Sequence, residues 1–182
     1  MQKTVKRCVR LLNKLLPNQY EKSIYNIDLD ALRKKGIKGV ITDLDNTLVE
    51  WDRPDATPEV RAWLKQLREA GMKVTIVSNN TSKRVKAFAE PEGIVFIHAA
   101  RKPQRRAFRQ ACQAMGLAKD EVVVIGDQIF TDVLGGNRAG LHTILVVPVS
   151  SSDGWATRLN RRMERIVLNW MKRRGMIQWE DE

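Results

Sequence analysis

Short apolar runs alternate with amphipathic stretches between about residue 38 and residue 148. Each apolar run has the length of a buried strand, and each amphipathic stretch is long enough for a connecting helix. Such alternation is typical of a parallel α/β sheet, in which a helix crosses over between consecutive strands. The five predicted strands span residues 39–44, 73–78, 94–98, 121–126 and 143–147.

Helix signals lie between these predicted strands. The first stretch begins with Thr57 and Pro58, which suit a helix start, and it stops before Gly71, which suits a helix end. Its apolar residues recur at helical spacing, so we expect Trp63 in the core. The four predicted helices span residues 58–70, 82–89, 103–115 and 131–139.

A glycine pair and two histidines have structural explanations. Gly135 and Gly136 lie inside a predicted helix, where each costs about 1 kcal/mol relative to Ala, so we expect close packing of this helix on the sheet rather than ligand contact. His98 and His142 lie at strand ends, far apart in the sequence. We expect both histidines to be structural.

The two ends of the chain carry basic amphipathic patterns. Residues 3–16 and 155–174 each place apolar side chains on one helical face and Lys or Arg on the others. A helix that packs on its own domain and a helix that lies on a membrane surface share this pattern. Both possibilities stay open for both predicted helices.

Length and charge limit the classes of protein. We expect the 182 residues to form one domain (1–182), with a catalytic core at about 36–148. Residues 1–14 carry five Lys or Arg and no acid, and residues 154–175 carry seven against one acid, within a net charge of +11. Basic ends suggest an anionic partner, either a membrane or a nucleic acid.

The location of the protein is also constrained. No stretch approaches the roughly 18 apolar residues that span a bilayer, and the basic N-terminus lacks the apolar core of a secretory signal. Cys8 and Cys112 are isolated and lack metal-binding spacing, which favours a reducing compartment. We therefore expect a cytoplasmic protein.

Two acid pairs directly follow apolar runs. Asp43 and Asp45 end the first predicted strand, and Asp127 and Asp132 follow the fourth. In an open α/β sheet, the carboxyl ends of the strands form the ligand-binding edge. Buried carboxylates need a partner, and hard oxygen ligands suit Mg²⁺, so the two pairs predict a magnesium site.

Two further segments complete a candidate site for phosphoryl transfer. Ser78 and Asn79 follow the second predicted strand, and Lys102 precedes a helix. Phosphoryl transfer needs a nucleophile, fixed cations, hydrogen-bond donors and a metal to neutralise the phosphate charge. An aspartate can act as the nucleophile and form an aspartyl-phosphate. A calcium loop starting at Asp43 is excluded, because Leu48 stands where the loop needs Gly and Pro54 where it needs an acid.

The four segments, present together and in this order, resemble the haloacid dehalogenase (HAD) superfamily of phosphatases. The resemblance covers at least residues 38–148. It implies that Asp43 is the nucleophile and a Mg²⁺ ligand. It implies that Asp45 is first the general acid and then the base, with its backbone carbonyl also on Mg²⁺. Thr47 would orient Asp45 or the turn, near the phosphate.

The same resemblance assigns the remaining site residues. Ser78 and Asn79 would bind the phosphoryl oxygens, and Lys102 would hold the nucleophile and the phosphate charge. Asp127 would bind Mg²⁺ directly. Asp132 would support the metal through water or orient Lys102. The implied fold is a three-layer, Rossmann-like α/β sandwich with a parallel five-stranded sheet in the order 3-2-1-4-5.

The gaps between the segments are too short for the cap domain that many of these enzymes carry. An open site favours a large substrate, and the pattern resembles class IIIA of the superfamily. The Leu-Leu-Pro at 15–17 and the segments 126–128, 135–138 and 160–165 resemble its YqeG branch, which is similar to the phosphatidylglycerophosphate phosphatases of mitochondria and plastids. This resemblance implies an anionic phospholipid substrate, phosphatidylglycerophosphate, and peripheral contact with the inner face of the cell membrane.

Two other functions stay open on the sequence. A phosphatase acting on nucleic-acid ends would also use an open site and basic flanks. An RNA- or ribosome-associated binding protein on the same scaffold is a different class, although the intact set of acids argues against it. Trp51 and Arg53, just after the first acid pair, could grip a substrate; Arg101, Arg105 and Arg106 could contact an extra phosphate or simply be solvated.

Overall fold

A parallel sheet organises the part of the chain that the computed structural model describes, residues 13–150, 166–169 and 173. Within these residues it has six strands in the order β1-β6-β5-β2-β3-β4, all pairs parallel. The strands are β1 Gln19–Glu21, β2 Gly39–Thr42, β3 Lys73–Val77, β4 Val95–Ile97, β5 Val122–Gly126 and β6 His142–Val146.

Helices connect these strands and cover both faces of the sheet. The α-helices are α1 Leu29–Lys34, α2 Pro58–Glu69, α3 Ser82–Ala89, α4 Arg105–Met115 and α5 Leu134–Ala139. Shorter turns connect them: 3₁₀ turns at Asn13–Leu15, Ile24–Asn26 and Lys119–Glu121, and a π-helical turn at Ile129–Val133 that leads into α5.

The expected fold is confirmed, with one strand more than predicted. The five predicted strands are β2 to β6, and they lie in the expected order 3-2-1-4-5. The predicted number of five strands is wrong, because the sheet has a sixth strand at its edge. This strand, β1, pairs with β6 through Gln19–Ile144 and Tyr20–Leu145. Between Asp45 and Ser78 the chain forms only α2 and β3, and between Ser78 and Lys102 only α3 and β4, so no cap domain is inserted there.

The core consists of two layers of apolar side chains, one on each face of the sheet. Alternate strand residues point to opposite faces, so Val40 of β2 packs with Trp63 of α2, while Ile41 packs with Phe108 of α4. Helices α1 to α3 cover the first face, and α4 and α5 cover the second. Trp63 is 2% exposed, which confirms its predicted place in the core.

The glycine pair of α5 allows this helix to lie close against its neighbours. A Cβ at Gly136 would stand 2.5 Å from Thr143 Cγ2 on β6 and 3.2 Å from Val124 Cγ2 on β5. A Cβ at Gly135 would stand 2.4 Å from the ring of Phe108. The predicted close packing is therefore confirmed.

Parts of the two basic ends contact the domain. Leu15, at the end of the predicted helix 3–16, is buried with Ile129, Val133 and Leu145. Within the predicted helix 155–174, residues 166–169 are helical, and Val167 packs against this same cluster while Ile166 is 63% exposed. The remainder of both predicted helices lies outside the described residues. Among the described helices, none is both long and apolar enough to cross a bilayer.

Candidate active site

Three buried carboxylates converge at the carboxyl edge of the sheet. In register, Thr42 of β2 is level with Ile125 of β5, so the residues that follow these strands meet. Asp43 follows β2, Asp127 follows β5, and Asp132 lies in the π-helical turn before α5. One oxygen from each carboxylate lies within 4.8 Å of the others. The structure thus brings together three of the four acids in the two predicted pairs: Asp43, Asp127 and Asp132.

Lys102 lies between two of these carboxylates. Its Nζ is 2.9 Å from Asp43 Oδ1 and 2.7 Å from Asp132 Oδ1, and its side chain is 2% exposed. Burial alone would lower the pKa of the Lys102 ammonium, but the charges of Asp132 and Asp43 more than offset burial and raise that pKa above its ordinary value. Lys102 is therefore a fixed, permanently charged cation.

The acidic group carries more negative charge than Lys102 can balance. Burial and, to a smaller extent, the charge of Asp43 raise the pKa of Asp132 to about 6, although Lys102 opposes that rise. Three buried carboxylates, two of them paired with the same lysine, fit a divalent cation, because oxygen ligands of this kind are the ones that Mg²⁺ prefers. The group could therefore bind a metal.

Neighbouring groups hold two of these carboxylates in place. The Leu44 backbone N–H donates to Asp43 Oδ1 at 2.8 Å. The hydroxyl of Thr47 donates to Asp127 Oδ1 at 2.9 Å, whereas the sequence predicted Asp45 or the turn as its partner. Thr47 is 1% exposed and does not line the cavity described below, so the structure places it beside a candidate metal ligand.

Asp45 is not one of the three converging carboxylates, and two other side chains hold its carboxylate. Arg84 donates to Asp45 Oδ1 from Nε at 3.0 Å, and its Nη2 is 2.9 Å from the same oxygen. Asn80 Nδ2 donates to Oδ2 at 2.9 Å. Burial raises the pKa of the Asp45 carboxyl, while Asn80 and Arg84 oppose that rise.

The Ser78 segment meets the Lys102 segment at the same edge. Ser78 is 2% exposed, and its Oγ accepts a hydrogen bond from the Asn80 backbone N–H at 3.1 Å. Asn79 bonds the backbone of Lys102 on both sides: its Oδ1 accepts from Lys102 N at 2.6 Å, and its Nδ2 donates to Lys102 O at 3.3 Å. Asn79 therefore fixes the loop that presents Lys102.

An open cavity of about 350 Å³ joins these groups. Five of the predicted site residues line it, whereas Thr47, Asp127 and Asp132 are buried and do not. The lining residues are Asp43, Asp45, Asn46, Trp51, Ser78, Asn79, Asn80, Lys102, Gln128 and Thr131.

Several residues considered on the sequence lie away from the cavity wall. Arg101, Arg105 and Arg106 are exposed, and Arg53 pairs with Glu50 at 3.5 Å. The ring of His98 lies 6.4 Å from that of Phe96, and burial lowers the pKa of His142. None of these six residues lines the cavity.

Sequence reasoning missed Arg84, Gln128 and Thr131. Gln128 N–H and Thr131 Oγ1 both donate to Asp132 Oδ2, at 3.2 Å each. The position of Arg84 could have indicated its role, because α3 begins directly after the Ser78 segment and a residue in its first turn can face the site. Arg84 was missed because it is one of several basic residues on α3, and the sequence does not show which of them faces the site.

Comparisons with known proteins agree with this geometry. The family model of haloacid dehalogenase-like hydrolases matches residues 10–140. The chain is 58% identical to "Probable phosphatase YqeG" of Bacillus subtilis (strain 168), over 91% of this chain and 96% of that protein. It is 30% identical to phosphatidylglycerophosphate phosphatase 1 (chloroplastic/mitochondrial) of Arabidopsis thaliana, over 89% of this chain but about half (49%) of that protein.

The fold has relatives among solved structures. One is the cobalt-bound deoxy-D-mannose-octulosonate 8-phosphate phosphatase YrbI of Haemophilus influenzae, with a TM-score of 0.51 and 19% identity. The match covers 74% of this chain and 89% of that one. At this identity the likeness concerns the fold alone, and it agrees with the three-layer α/β architecture.

Proposed function

Because this chain belongs to the haloacid dehalogenase-like hydrolase family, we propose that it is a phosphatase that hydrolyses phosphomonoesters through an aspartyl-phosphate on Asp43. One observation carries the proposal: the carboxylate of Asp43 lies in an open cavity, paired with the buried ammonium of Lys102. The lysine contacts the Asp43 carboxylate and can also balance the charge of an incoming phosphate. Asp45 lines the same cavity, where it can reach a leaving group.

The two steps follow from these positions. Asp43 Oδ attacks phosphorus, the bond from phosphorus to the ester oxygen breaks, and Asp45 gives its proton to the departing alkoxide. Asp45, now a carboxylate, then takes a proton from the water that attacks the aspartyl-phosphate, and Asp43 and inorganic phosphate are released. Ser78 and Lys102, with support from Asn79, bind the phosphoryl oxygens.

We assign Mg²⁺ to the acidic group. Asp43 and Asp127 would hold the ion with their carboxylates and Asp45 with its backbone carbonyl, while Asp132 would orient Lys102 or support the ion through water. Bound Mg²⁺ neutralises charge on the transferring phosphoryl group. Thr47 fits this assignment, because its hydrogen bond fixes the direction of the Asp127 carboxylate.

The proposed substrate is phosphatidylglycerophosphate, cleaved to phosphatidylglycerol at the inner face of a membrane. Its support is the 30% identity to a plant phosphatase of that name, together with the open cavity and the basic ends. Exposed apolar side chains near the cavity also favour a lipid. Trp51, on the cavity wall, is 44% exposed; Val149, whose N–H donates to the carbonyl of Asn46 on that wall, is 50% exposed.

The test is phosphate release from phosphatidylglycerophosphate in mixed micelles with Mg²⁺, with Asp43→Asn as the blank. We expect Asp43-dependent turnover well above that on soluble glycerol 3-phosphate. Cleavage of a generic aryl phosphate without cleavage of the lipid would contradict the lipid substrate and keep the phosphatase. Preferential cleavage of oligonucleotide 3′- or 5′-phosphates would establish the nucleic-acid alternative. If none of these esters is hydrolysed, the proposed phosphatase activity is contradicted and an RNA-binding role is favoured.

A further inference from the structure

Arg84 connects the general acid to the loop that borders the cavity. It lies in the first turn of α3, with its side chain 14% exposed, and two of its nitrogens contact Asp45 Oδ1 at 3.0 and 2.9 Å. Its Nη1 also donates to the carbonyl of Pro54, and its Nη2 to that of Glu50, each at 3.4 Å. One planar guanidinium therefore contacts a carboxylate and two backbone carbonyls of residues 50–54.

These contacts also distinguish the two oxygens of Asp45. A carboxylate offers about four acceptor positions, two on each oxygen. Arg84 donates a hydrogen bond to Oδ1 from Nε and brings Nη2 within 2.9 Å of the same oxygen, and Asn80 occupies one position on Oδ2. Oδ2 keeps one acceptor position, in a residue that lines the cavity.

We propose that Arg84 is a positioning residue of this phosphatase. It directs Oδ2 of Asp45 at the leaving-group oxygen, and it holds the loop of residues 50–54, which contains Trp51, in a fixed position relative to Asp45. The inference rests on the proposed function, because it needs Asp45 to be the general acid. An arginine is required because a lysine is a point charge and cannot form the same planar fork. The alternative is that Arg84 is a structural ion pair with no effect on proton transfer.

Leaving groups of different quality separate these two roles. An alkoxide needs a proton as it departs, whereas a dinitrophenolate is stable without one. In a two-step mechanism kcat/KM reports the steps through formation of the aspartyl-phosphate, so the later role of Asp45 does not enter. A misplaced general acid therefore lowers kcat/KM for alkyl phosphates selectively, whereas a structural defect lowers kcat/KM for all esters alike.

The experiment compares Arg84→Met and Arg84→Lys with wild type on an alkyl phosphate and on 2,4-dinitrophenyl phosphate. General acid catalysis contributes about 10²–10⁴-fold, so we expect Arg84→Met to lose ~100-fold in kcat/KM on the alkyl ester and less than ~3-fold on the dinitrophenyl ester. Arg84→Lys, which keeps the charge, should restore only part of the loss. Lys83→Gln removes a charge from an exposed neighbour on α3 and is the matched control, with no selective loss expected.

A second readout uses Asp45→Asn, which removes the general acid. Adding Arg84→Met to Asp45→Asn should cause no further loss on the alkyl ester, because the residue that Arg84 directs is already disabled. Equal loss on both esters, or additive losses in the double variant, would overturn the inference. If Arg84→Met does not fold, Arg84→Lys still gives the leaving-group comparison. Activity that survives Asp43→Asn would instead overturn the proposed function.

Discussion

The three buried carboxylates Asp43, Asp127 and Asp132 lie close enough to repel one another, and a single substitution can test whether a cation relieves that repulsion. Asp132 has its pKa raised to about 6, above its ordinary value of 3.8. A raised carboxyl pKa means that the folded protein binds more protons than the unfolded chain between these values, so stability falls as pH rises through that window. As pH rises through about 6, Asp132 loses its proton and adds negative charge to the group, and a divalent cation would relieve the resulting repulsion.

We therefore predict that Mg²⁺ raises the melting temperature, and raises it more at about pH 7.5 than at about pH 5. At a concentration of 100 times Kd, the expected gain is about 2.7 kcal/mol. Asp127→Asn should abolish the gain and still fold, because its side-chain oxygen can accept the Thr47 hydrogen bond. Differential scanning fluorimetry with Mg²⁺ or EDTA measures both. An equal Mg²⁺-induced rise in melting temperature in wild type and Asp127→Asn would show that the ion does not bind at this group.

At this scale, the sequence predicted which residues come together but not every contact they make. Strand ends and segment order were enough to place Asp43, Lys102 and Asp127 at one edge, because parallel strands end together. The partner of Thr47 and the presence of Arg84 at Asp45 depend on how side chains of separate elements meet. That geometry is set by packing, which a linear pattern does not contain.

The helix α5 illustrates how an element is constrained by its neighbours. At Gly136 two effects compete: Ala is a better helix former by about 1 kcal/mol, but its Cβ would stand 2.5 Å from Thr143 Cγ2. Overpacking of a well-packed core costs about 1–3 kcal/mol. Because Thr143 is 1% exposed and cannot move into solvent, we expect overpacking to dominate.

Gly136→Ala should accordingly lower the free energy of unfolding by about 1–2 kcal/mol, measured by urea denaturation. Arg138→Ala, at an exposed position of the same helix, should change that free energy by less than about 0.5 kcal/mol. A Gly136→Ala protein as stable as wild type would show that β6 can retreat from the helix.

The edge strand β1 marks the limit of prediction for elements. The four inner strands are largely apolar because both of their faces are covered, and the other edge strand, β4, is Val-Phe-Ile; such runs are visible in the sequence. Residues 19–21 are instead Gln, Tyr and Glu, all half-buried, and the strand is three residues long. Backbone pairing with β6 makes it a strand, and that pairing leaves no hydrophobic signature.

Over the whole molecule, two features favour contact with an anionic lipid surface: net positive charge and exposed apolar side chains. The net charge is +11 at neutral pH, most of it near the two ends of the chain. Trp51 at the cavity and Val149 beside it are exposed. Anionic lipid attracts each nearby Lys or Arg with about 1 kcal/mol, and exposed apolar side chains add to the attraction by entering the interface.

We predict that the protein binds vesicles containing phosphatidylglycerol and not vesicles of phosphatidylcholine alone. Attachment that relies on charge should be lost at about 0.5 M NaCl, where the screening length is only a few ångströms. Trp51→Ala should weaken the binding at low salt without removing it, because the basic groups remain. Sedimentation with vesicles measures each case, and single-stranded oligonucleotides at matched salt are the competing ligand. Tighter binding to the oligonucleotides, or equal binding to neutral vesicles, would contradict a charge-driven lipid contact.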